Sequence, residues 1–398
     1  MNNKLNIAVI FGGKSVEHDV SIVSAQVVIE DLKKNGKYDI TPIYITKKGE
    51  WVSGEELNKI EPFKDLKLIS HKAKNIDLKL DSTGNKAVVQ YNKESFFKKQ
   101  IKKIDVVFPV MHGTYGEDGA ISGFCEMLQV PYVGCGILAG ALCMNKIATK
   151  QIFAVNNIPS VKNLWFTTDE WEVNSENIYA QIEKELKYPI FVKPANLGSS
   201  IGISKAIDAK TLKFAFEVAA HYDSKIIVEE GIANLMEVNC AILGNEDPLP
   251  SMLEEPISAQ DFLNFEEKYI SKGGSMSGKS ESKLKIPAPL DKEKTKEIQD
   301  LAIKVFKVLN CSGIARVDFL IDKDDDYKIY VNEVNPMPGT LHQHLWKASG
   351  IEPEDLVEKL IVLAIERFSK KQQYTYTFSS NILDIITTSG GVKSVKNS

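Results

Sequence analysis

The sequence predicts an α/β protein of two or three domains. An apolar run at 5–11 is followed by Gly12-Gly13 and then by a helical pattern from Ser15, which is the strand–turn–helix order of a parallel-sheet domain. A second apolar run, 104–111, does not alternate with polar residues, as is typical of a strand covered on both faces. With 398 residues, the chain is long enough for more than one hydrophobic core.

Further strand and helix patterns extend this first α/β unit. A strand is predicted at 39–45, a small hairpin around 48–51, a helix at 119–129 and a short strand at 132–133. We therefore expect an N-terminal domain at 1–134.

Two more segments follow. The central one, 135–229, contains a predicted helix at 141–156 and strands at 189–194 and 226–230. The C-terminal one spans 230–370. Its predicted strands are 238–243, 314–321 and 328–333, and its predicted helices are 292–309 and 353–368. The polar, Ser/Thr-rich residues 371–398 are expected to form a loosely held tail.

A Gly/Ser-rich stretch at 261–290 is predicted to be a lid over an active site. Within it, residues 273–280 match the Walker A pattern, Gly-x-x-x-x-Gly-Lys-Ser. A working P-loop needs a buried strand before it and a long helix after it. The preceding residues are polar, and the prolines at Pro287 and Pro289 would break a helix within two turns. A mobile loop is therefore the better interpretation.

Composition argues against several classes of protein. A net charge of −4 gives no reason to expect nucleic acid or an anionic membrane as a partner. The five cysteines form no Cys-x-x-Cys pair, which argues against a cysteine zinc site and a disulfide framework. The first apolar run is too short for a signal peptide, and no run is long enough to span a bilayer. We expect a cytoplasmic protein.

Two strands near the C-terminus carry polar residues with a spacing of two. The strands at 314–321 and 328–333 are separated by an acidic turn and should pair as an antiparallel hairpin. Arg316 and Asp318 would then share one face, as would Glu333 and Asn335 on the adjoining strand. Their oxygens suit Mg²⁺, and the arginine would counter charge on a phosphoryl group. The alternative is a polar sheet face with an Arg–Asp pair.

A phosphate-binding turn is predicted after the strand that ends at Lys193. The turn at 198–202 offers free backbone N–H groups, while Lys193 and Lys146 offer positive charge. The alternative is an ordinary turn. The Gly12-Gly13 pair lacks the third glycine of a dinucleotide fingerprint, so that hypothesis is rejected.

Together these runs resemble the D-alanine–D-alanine ligases of the ATP-grasp superfamily, to about residue 368. The resemblance rests on the order and spacing of several motifs. They are Phe11-Gly12-Gly13-Lys14-Ser15-Val16-Glu17-His18, His112-Gly113-Thr114-Tyr115-Gly116-Glu117-Asp118-Gly119, Val192-Lys193-Pro194 with Gly198-Ser199-Ser200, Lys268-Tyr269, Arg316-Val317-Asp318, and Asn332-Glu333-Val334-Asn335 with Pro338-Gly339.

The resemblance implies a three-domain ATP-grasp architecture. An N-terminal parallel-sheet domain would hold the first D-amino acid, and ATP would lie between a central α+β domain and a C-terminal α/β domain. Asp318, Glu333 and Asn335 match the ligands of two Mg²⁺ ions, with Mn²⁺ as a substitute. The residues matching ATP-binding positions are Lys146, Lys193, Ser200, Glu229, Glu237 and Lys268.

The resemblance also implies how the substrates are held. Glu17, Ser199 and Tyr269 match a hydrogen-bonded set that orients the first D-alanine and locks the lid, with His112 close by. Arg316 and the Gly339 backbone N–H match groups around the tetrahedral intermediate. The implied reaction joins two D-alanines through an acyl phosphate for peptidoglycan precursor synthesis. A homodimer is expected by resemblance alone.

The run after Gly339 departs from the family pattern. His344 occupies the place of a serine that binds the carboxylate of the second substrate. A histidine can bind a carboxylate, or indicate another acceptor such as D-serine, or simply pack beside Trp346. Tyr269 in the lid favours an amine acceptor over D-lactate, for which related enzymes have a histidine there.

Two other classes of protein remain as alternatives. A non-catalytic nucleotide-binding protein would keep the fold and bind Mg-ATP without releasing ADP. A P-loop kinase or GTPase would depend on Lys279 for nucleotide binding, whereas the ligase hypothesis assigns that role to Lys193.

Overall fold

The computed structural model describes residues 4–64, 69, 73–84, 86–91, 101–257 and 284–382. Most of the predicted lid lies outside the described residues, including Lys268, Tyr269 and the Walker-like run at 273–280. So do residues 383–398 of the predicted tail. In the part of the chain that is described, no helix is long and apolar enough to cross a membrane.

The N-terminal sheet combines parallel and antiparallel strands. It has seven strands in the order β6-β5-β4-β3-β2-β1-β7. Their bounds are β1 Leu5–Gly12, β2 Tyr38–Ile45, β3 Trp51–Ser53, β4 Lys74–Leu80, β5 Ala87–Tyr91, β6 Ile101–Lys103 and β7 Val106–Pro109. Strand β1 pairs in parallel with β2 and β7, as predicted. The predicted hairpin is β2–β3, and β4, β5 and β6 extend the sheet in antiparallel fashion.

Both faces of β1 are buried, which explains its apolar sequence from Ile7 to Phe11. Val9 and Phe11 lie in one core with Leu32 of helix α1 (His18–Asn35). Ile10 lies in a second core, on the other side, with Cys125 of helix α2 (Ala120–Met127). A central strand covered on both sides has no solvent face that requires polar residues.

The central sheet is antiparallel, in the order β10-β9-β11-β8. Its strands are β8 Asn163–Thr167, β9 Ile190–Pro194, β10 Ser204–Ala206 and β11 Lys225–Glu230. Helices α5 (Thr168–Glu185) and α6 (Ala209–Ala220) share a core with this sheet through Ile182 and Phe216.

The predicted helix at 141–156 is wrong in one respect, because Asn145 divides it. The backbone of Asn145 is extended (φ −92°, ψ 101°), and its side chain accepts a hydrogen bond from the Ala148 backbone N–H. Asparagine is a favoured N-cap because its side chain satisfies such a free N–H group. The result is two helices, α3 (Ile137–Met144) and α4 (Lys146–Val155), with Lys146 at the first position of α4.

The C-terminal sheet is also antiparallel, in the order β14-β13-β12-β15-β16. Its strands are β12 Leu235–Gly244, β13 Leu249–Pro256, β14 Leu284–Lys285, β15 Gly313–Asp322 and β16 Lys328–Asn335. Helix α7 (Lys292–Val308) shares a buried core with it, through residues such as Phe306. A 3₁₀ helix at Gly339–His342 and helix α8 (Gln343–Ala348) follow β16.

The last long helix, α9 (Pro353–Lys371), returns to the N-terminal sheet. Leu360 lies in the same core as Leu32 of α1, and Lys37 forms an ion pair of 2.6 Å with Glu358. The predicted boundaries at 134, 229 and 370 remain predictions, and this contact joins the predicted first and third domains.

Gly12 tests the packing at the carboxyl end of β1. It has a φ of +87°, and a Cβ atom there would lie 2.3 Å from the Ile45 carbonyl oxygen. Gly84 has a φ of +73° but open space around a Cβ atom. We expect G84A to lower the free energy of unfolding by about 1–2 kcal/mol, from backbone strain alone. G12A should cost at least about 1 kcal/mol more, because the backbone must also shift. Denaturant unfolding checks this, and equal losses in the two variants would contradict it.

Candidate active site

Strands β15 and β16 present polar side chains on one face. The antiparallel pairing predicted for them is present, with Arg316 opposite Asn335 and Asp318 opposite Glu333. A β-bulge follows Asp318, so that Asn332 is the extra residue on β16. The alternate residues of β15 are buried in the core. Three oxygen-bearing side chains and one guanidinium therefore converge on a single surface of the sheet.

Arg316 and Asp318 form a bidentate ion pair. Arg316 Nε lies 2.5 Å from Asp318 Oδ1, and Arg316 Nη2 lies 2.6 Å from Asp318 Oδ2. Burial opposes the charge on Arg316, but the Asp318 carboxylate outweighs it and raises the pKa of the guanidinium. The Arg–Asp pair foreseen as the structural alternative is therefore present. It adjoins the side-chain oxygens of Glu333 and Asn335 on β16.

Lys146 faces this surface from helix α4. Its Nζ lies 3.4 Å from Glu333 Oε2 and donates a hydrogen bond of 2.7 Å to the Leu197 carbonyl oxygen. Since Leu197 begins the Gly/Ser turn, Lys146 links that turn to the β16 carboxylate. Asn335 Oδ1 accepts a hydrogen bond of 3.2 Å from the Met337 backbone N–H.

A buried carboxylate lies between two lysines. Glu229 on β11 contacts Lys193 Nζ on β9 at 2.5 Å and Lys150 Nζ on α4 at 3.2 Å. Burial raises the pKa of Glu229, but the two ammonium groups outweigh it and hold the pKa at about 2. Lys150 also donates a hydrogen bond of 3.2 Å to the Val331 carbonyl oxygen on β16.

Sequence reasoning identified Lys193 and Glu229 but missed Lys150. The available signal was helical spacing, since Lys150 lies one turn after Lys146, among Ile147, Phe153 and other residues of a buried face. A lysine on such a face needs an acidic partner.

The Gly/Ser turn adopts the left-handed conformation at two serines. Ser199 and Ser200 have φ angles of 54° and 58°, which are uncommon for residues with a Cβ atom. Such backbone strain costs of order 1–3 kcal/mol per residue and is characteristic of functional loops. The Ser199 hydroxyl donates a hydrogen bond to Glu17 Oε1.

Glu17 connects this turn to the N-terminal sheet. It is buried at the start of α1, and a Cβ atom at Gly113 would lie 2.6 Å from Glu17 Oε2. A larger residue there would displace the carboxylate. Sequence reasoning missed Glu117, which accepts a hydrogen bond of 2.6 Å from the Gly113 N–H and whose pKa is raised by burial and then by Glu17.

His112 lies near the Glu17 carboxylate. It is buried, and burial lowers its pKa. Its Nε2 lies 3.0 Å from Ser24 Oγ, which also accepts a hydrogen bond of 3.2 Å from the Thr340 N–H. Helix α1, the segment after β7 that contains His112, and the segment after Gly339 thus meet at one serine.

Gly339 begins a strained segment. The three residues after it, Thr340, Leu341 and His342, have φ angles of 49°, 56° and 49°. Glu237 lies on β12, opposite Leu320 of β15, and its side chain is exposed. Lys268 and Tyr269 are outside the described residues, so their predicted roles stay predictions.

His344 does not merely pack beside Trp346, which is fully buried. Its Nε2 lies 2.5 Å from Oε2 of the buried Glu254. His342 Nε2 lies 3.3 Å from Glu254 Oε1 and 3.3 Å from Arg316 Nη1. Burial and then Arg316 lower the pKa of His342 to about 4. Glu254 and His342 were missed because nothing in their local sequence indicates that they meet.

Two family models together match most of the chain. A family model described as "D-ala D-ala ligase N-terminus" matches residues 6–135, and "D-ala D-ala ligase C-terminus" matches residues 152–362. A D-alanine–D-alanine ligase of Acetivibrio thermocellus is 41% identical, covering 93% of this chain and 98% of that protein. One from Thermosipho melanesiensis is 42% identical, covering 96% and 99%.

Solved structures agree with the fold. The D-alanine–D-alanine ligase from Coxiella burnetii has a TM-score of 0.78 at 31% identity, covering 93% of this chain and 96% of that one. The VanG D-Ala:D-Ser ligase from Enterococcus faecalis has a TM-score of 0.74 at 34% identity, covering 91% and 100%.

The ionised state of Glu229 should stabilise the fold in a pH-dependent way. Its pKa falls from an ordinary 4.5 to about 2, so the stabilisation is present above pH 4.5 and is lost as the pH falls towards 2. We expect wild type to exceed E229Q in free energy of unfolding by at most about 3 kcal/mol near pH 7 from this source. The gap should narrow below pH 4.5. Urea titrations between pH 7 and 3 measure it, with the exposed-site variant E176Q as control. A gap that does not change with pH would contradict the assignment.

Proposed function

The chain belongs to the D-alanine–D-alanine ligase family and joins two D-alanines at the expense of ATP, and we propose that it does so with the candidate active-site residues described above. The observation that carries the proposal is the polar face of β15 and β16, where Asp318, Glu333 and Asn335 adjoin Arg316. A non-catalytic nucleotide-binding protein would not need this combination of oxygen ligands and a guanidinium.

ATP is proposed to bind between the central and C-terminal sheets. Lys193 and Lys146 would contact its phosphates, and Ser200 would contact them from the Gly/Ser turn. Glu229 would hold Lys193 in position. Glu237, which is exposed on β12 beside β15, is assigned to the ribose by resemblance to the family. Lys268, which belongs to the predicted lid, is proposed to contact a phosphate of ATP.

Asp318, Glu333 and Asn335 are proposed to hold two Mg²⁺ ions, with Mn²⁺ as a substitute. Their carboxylate and amide oxygens fit a hard cation, and the strand register supports the assignment by bringing Asp318 opposite Glu333. When bound, Mg²⁺ neutralises charge on the phosphate oxygens. Asp318 would share its oxygens between the metal and Arg316.

The first D-alanine is proposed to lie at Glu17. The Ser199–Glu17 hydrogen bond and the buried His112 support this position, and Tyr269 from the lid would complete the set. A buried carboxylate attracts the ammonium group of an amino acid, which leaves the substrate carboxylate free to face the phosphates.

The proposed reaction has two steps. An oxygen of the first D-alanine carboxylate attacks the γ-phosphorus of ATP, and the bond to the β-phosphate oxygen breaks to give an acyl phosphate and ADP. The amine of the second D-alanine then attacks the acyl carbon, loses a proton, and phosphate leaves. Arg316 and the Gly339 N–H would stabilise the charge on the tetrahedral intermediate. Lid closure over 261–290 would exclude water, which hydrolyses acyl phosphates.

His344 is proposed to bind the carboxylate of the second substrate. Glu254 holds the imidazole in place there, since its Oε2 lies 2.5 Å from His344 Nε2. D-Serine is the alternative acceptor. The changed run after Gly339 and the likeness to a D-Ala:D-Ser ligase both favour testing it.

Three further proposals concern the setting of the enzyme. Peptidoglycan precursor synthesis would place it in the cytoplasm, where ATP and D-alanine are supplied. A homodimer and the three-domain division at 134, 229 and 370 are proposed by resemblance to the family. None of them alters the chemistry assigned to the candidate active site.

The activity and the metal site are tested together by ADP release with Mg-ATP and D-alanine, followed by mass detection of the dipeptide. We expect D-alanyl-D-alanine from wild type and at least about a 100-fold lower kcat in E333Q, since a charge-neutralising ligand is lost. E366Q, at an exposed position on α9, is the control and should match wild type. ADP release without dipeptide would indicate another acceptor. Equal turnover in E333Q would refute the assigned metal ligands.

The acceptor assignment is tested in H344A. We expect the KM for the second D-alanine to rise by about 10-fold or more, with an unchanged KM for ATP, because only one carboxylate contact is removed. H221A, which removes an exposed histidine, serves as control. D-Serine should be assayed beside D-alanine. A kcat/KM for D-serine equal to or above that for D-alanine would displace D-alanine as the acceptor.

A further inference from the structure

Glu254, His342 and His344 form a compact cluster that the proposed reaction does not use as a unit. Each offers one ligand atom, and the three atoms lie within 4.8 Å of one another. Glu254 and His342 are buried, whereas His344 is 41% exposed at its side chain. We propose that these three residues bind a divalent transition-metal ion of the Zn²⁺ class, at a site separate from the Mg²⁺ ligands.

The donor atoms decide the class of metal. Two imidazole nitrogens and one carboxylate oxygen suit Zn²⁺ and similar ions, whereas Mg²⁺ prefers oxygen alone. A His₂Glu set with a fourth position left for water or a carboxylate is a common zinc arrangement. The Mg²⁺ ligands proposed above contain no nitrogen donor, so the two sites should select different ions.

The distances require little movement. Tetrahedral ligands about 2.0–2.1 Å from a zinc ion lie roughly 3.3 Å from one another. Glu254 Oε1 and His342 Nε2 are 3.3 Å apart. The Glu254–His344 distance of 2.5 Å is that of a hydrogen bond and must open to admit an ion. His344 can move, because it is the exposed member of the set.

The buried members are held in place by their neighbours. Asn239 Nδ2 donates a hydrogen bond of 2.8 Å to Glu254 Oε1, and the two residues lie opposite each other on β12 and β13. His342 ends the left-handed segment that follows Gly339. Among the described residues, its Nδ1 is buried and has no hydrogen-bond partner. The Asn239 hydrogen bond and the backbone position of His342 fix the orientation of two ligands before a metal arrives.

Arg316 and a proton are the competitors for this site. Arg316 Nη1 lies 3.3 Å from His342 Nε2, and the proton between His344 and Glu254 must leave when a metal binds. The Asp318 carboxylate already pairs with Arg316, and Glu254 contributes a negative charge to the cluster. These two carboxylates limit the repulsion between a divalent ion and the guanidinium.

Cobalt(II) substitution tests the proposal without relying on ligase activity. The untagged full-length chain, stripped of metal by a chelator, is titrated with Co²⁺ in the absence of ATP and amino acids. A four-coordinate site with nitrogen ligands gives strong visible absorption, whereas cobalt bound by six oxygens absorbs weakly. We expect one equivalent of strongly absorbing Co²⁺ in wild type, displaced by one equivalent of Zn²⁺.

Variants assign the absorption to this cluster. H344A and H342A should each lower the affinity for Co²⁺ by at least about 10-fold and remove the strong band. E333Q and H221A should keep both, since they alter the proposed Mg²⁺ site and an exposed histidine. H344A changes an exposed side chain, so it tests the site even where H342A fails to fold. Absence of the band in wild type, or its persistence in H344A, would overturn the proposal and leave the proposed ligase function unaffected.

Discussion

The candidate active site depends on one buried carboxylate that forms ion pairs with two ammonium groups. Glu229 neutralises Lys193 and Lys150 away from solvent, and Lys150 extends the contact to the backbone of β16 through Val331. Helix α4 and strands β9, β11 and β16 are therefore connected through a single anion. Because an unpaired charge in the interior is costly, these elements must keep their relative positions. Lys146, one turn before Lys150, is thereby directed at Glu333.

A second set of polar contacts joins the N-terminal domain to the candidate active site. Ser199 donates to Glu17, while Ser24 contacts His112 and accepts from the Thr340 N–H. These bonds cross between segments far apart in sequence, and they run through backbone with positive φ at Ser199 and Thr340. Strain of this kind persists only where surrounding contacts impose it. Ser199 contacts Glu17, beside the proposed position of the first substrate, and Thr340 lies in the segment that is proposed to bind the acceptor.

Much of the fold could be predicted from sequence because its signals are local. The apolar pattern of β1 and the period-two polar residues at Arg316 and Asp318 depend only on neighbours along the chain. The break at Asn145 was missed, although the capping preference that causes it is also local. Most site residues were identified through the resemblance to the ligase family, since Glu17 and Ser199 meet only after folding. Lys150 and Glu254 were missed because their charged partners lie on other elements.

Local sequence patterns predict the α/β class, the antiparallel pairing of β15 with β16 and the candidate oxygen ligands, and the motifs indicate the family to which the chain is related. Hydrophobic periodicity and turn residues act over a few positions and can be recognised without coordinates. Three contacts become visible only in the folded chain: α9 packs against α1, two lysines share Glu229, and Glu254 meets His342 and His344. The Glu254 contacts arise from the pairing of β12 with β13 and from the turn after Gly339. The burial that makes a polar group need a partner exists only once the sheets have packed.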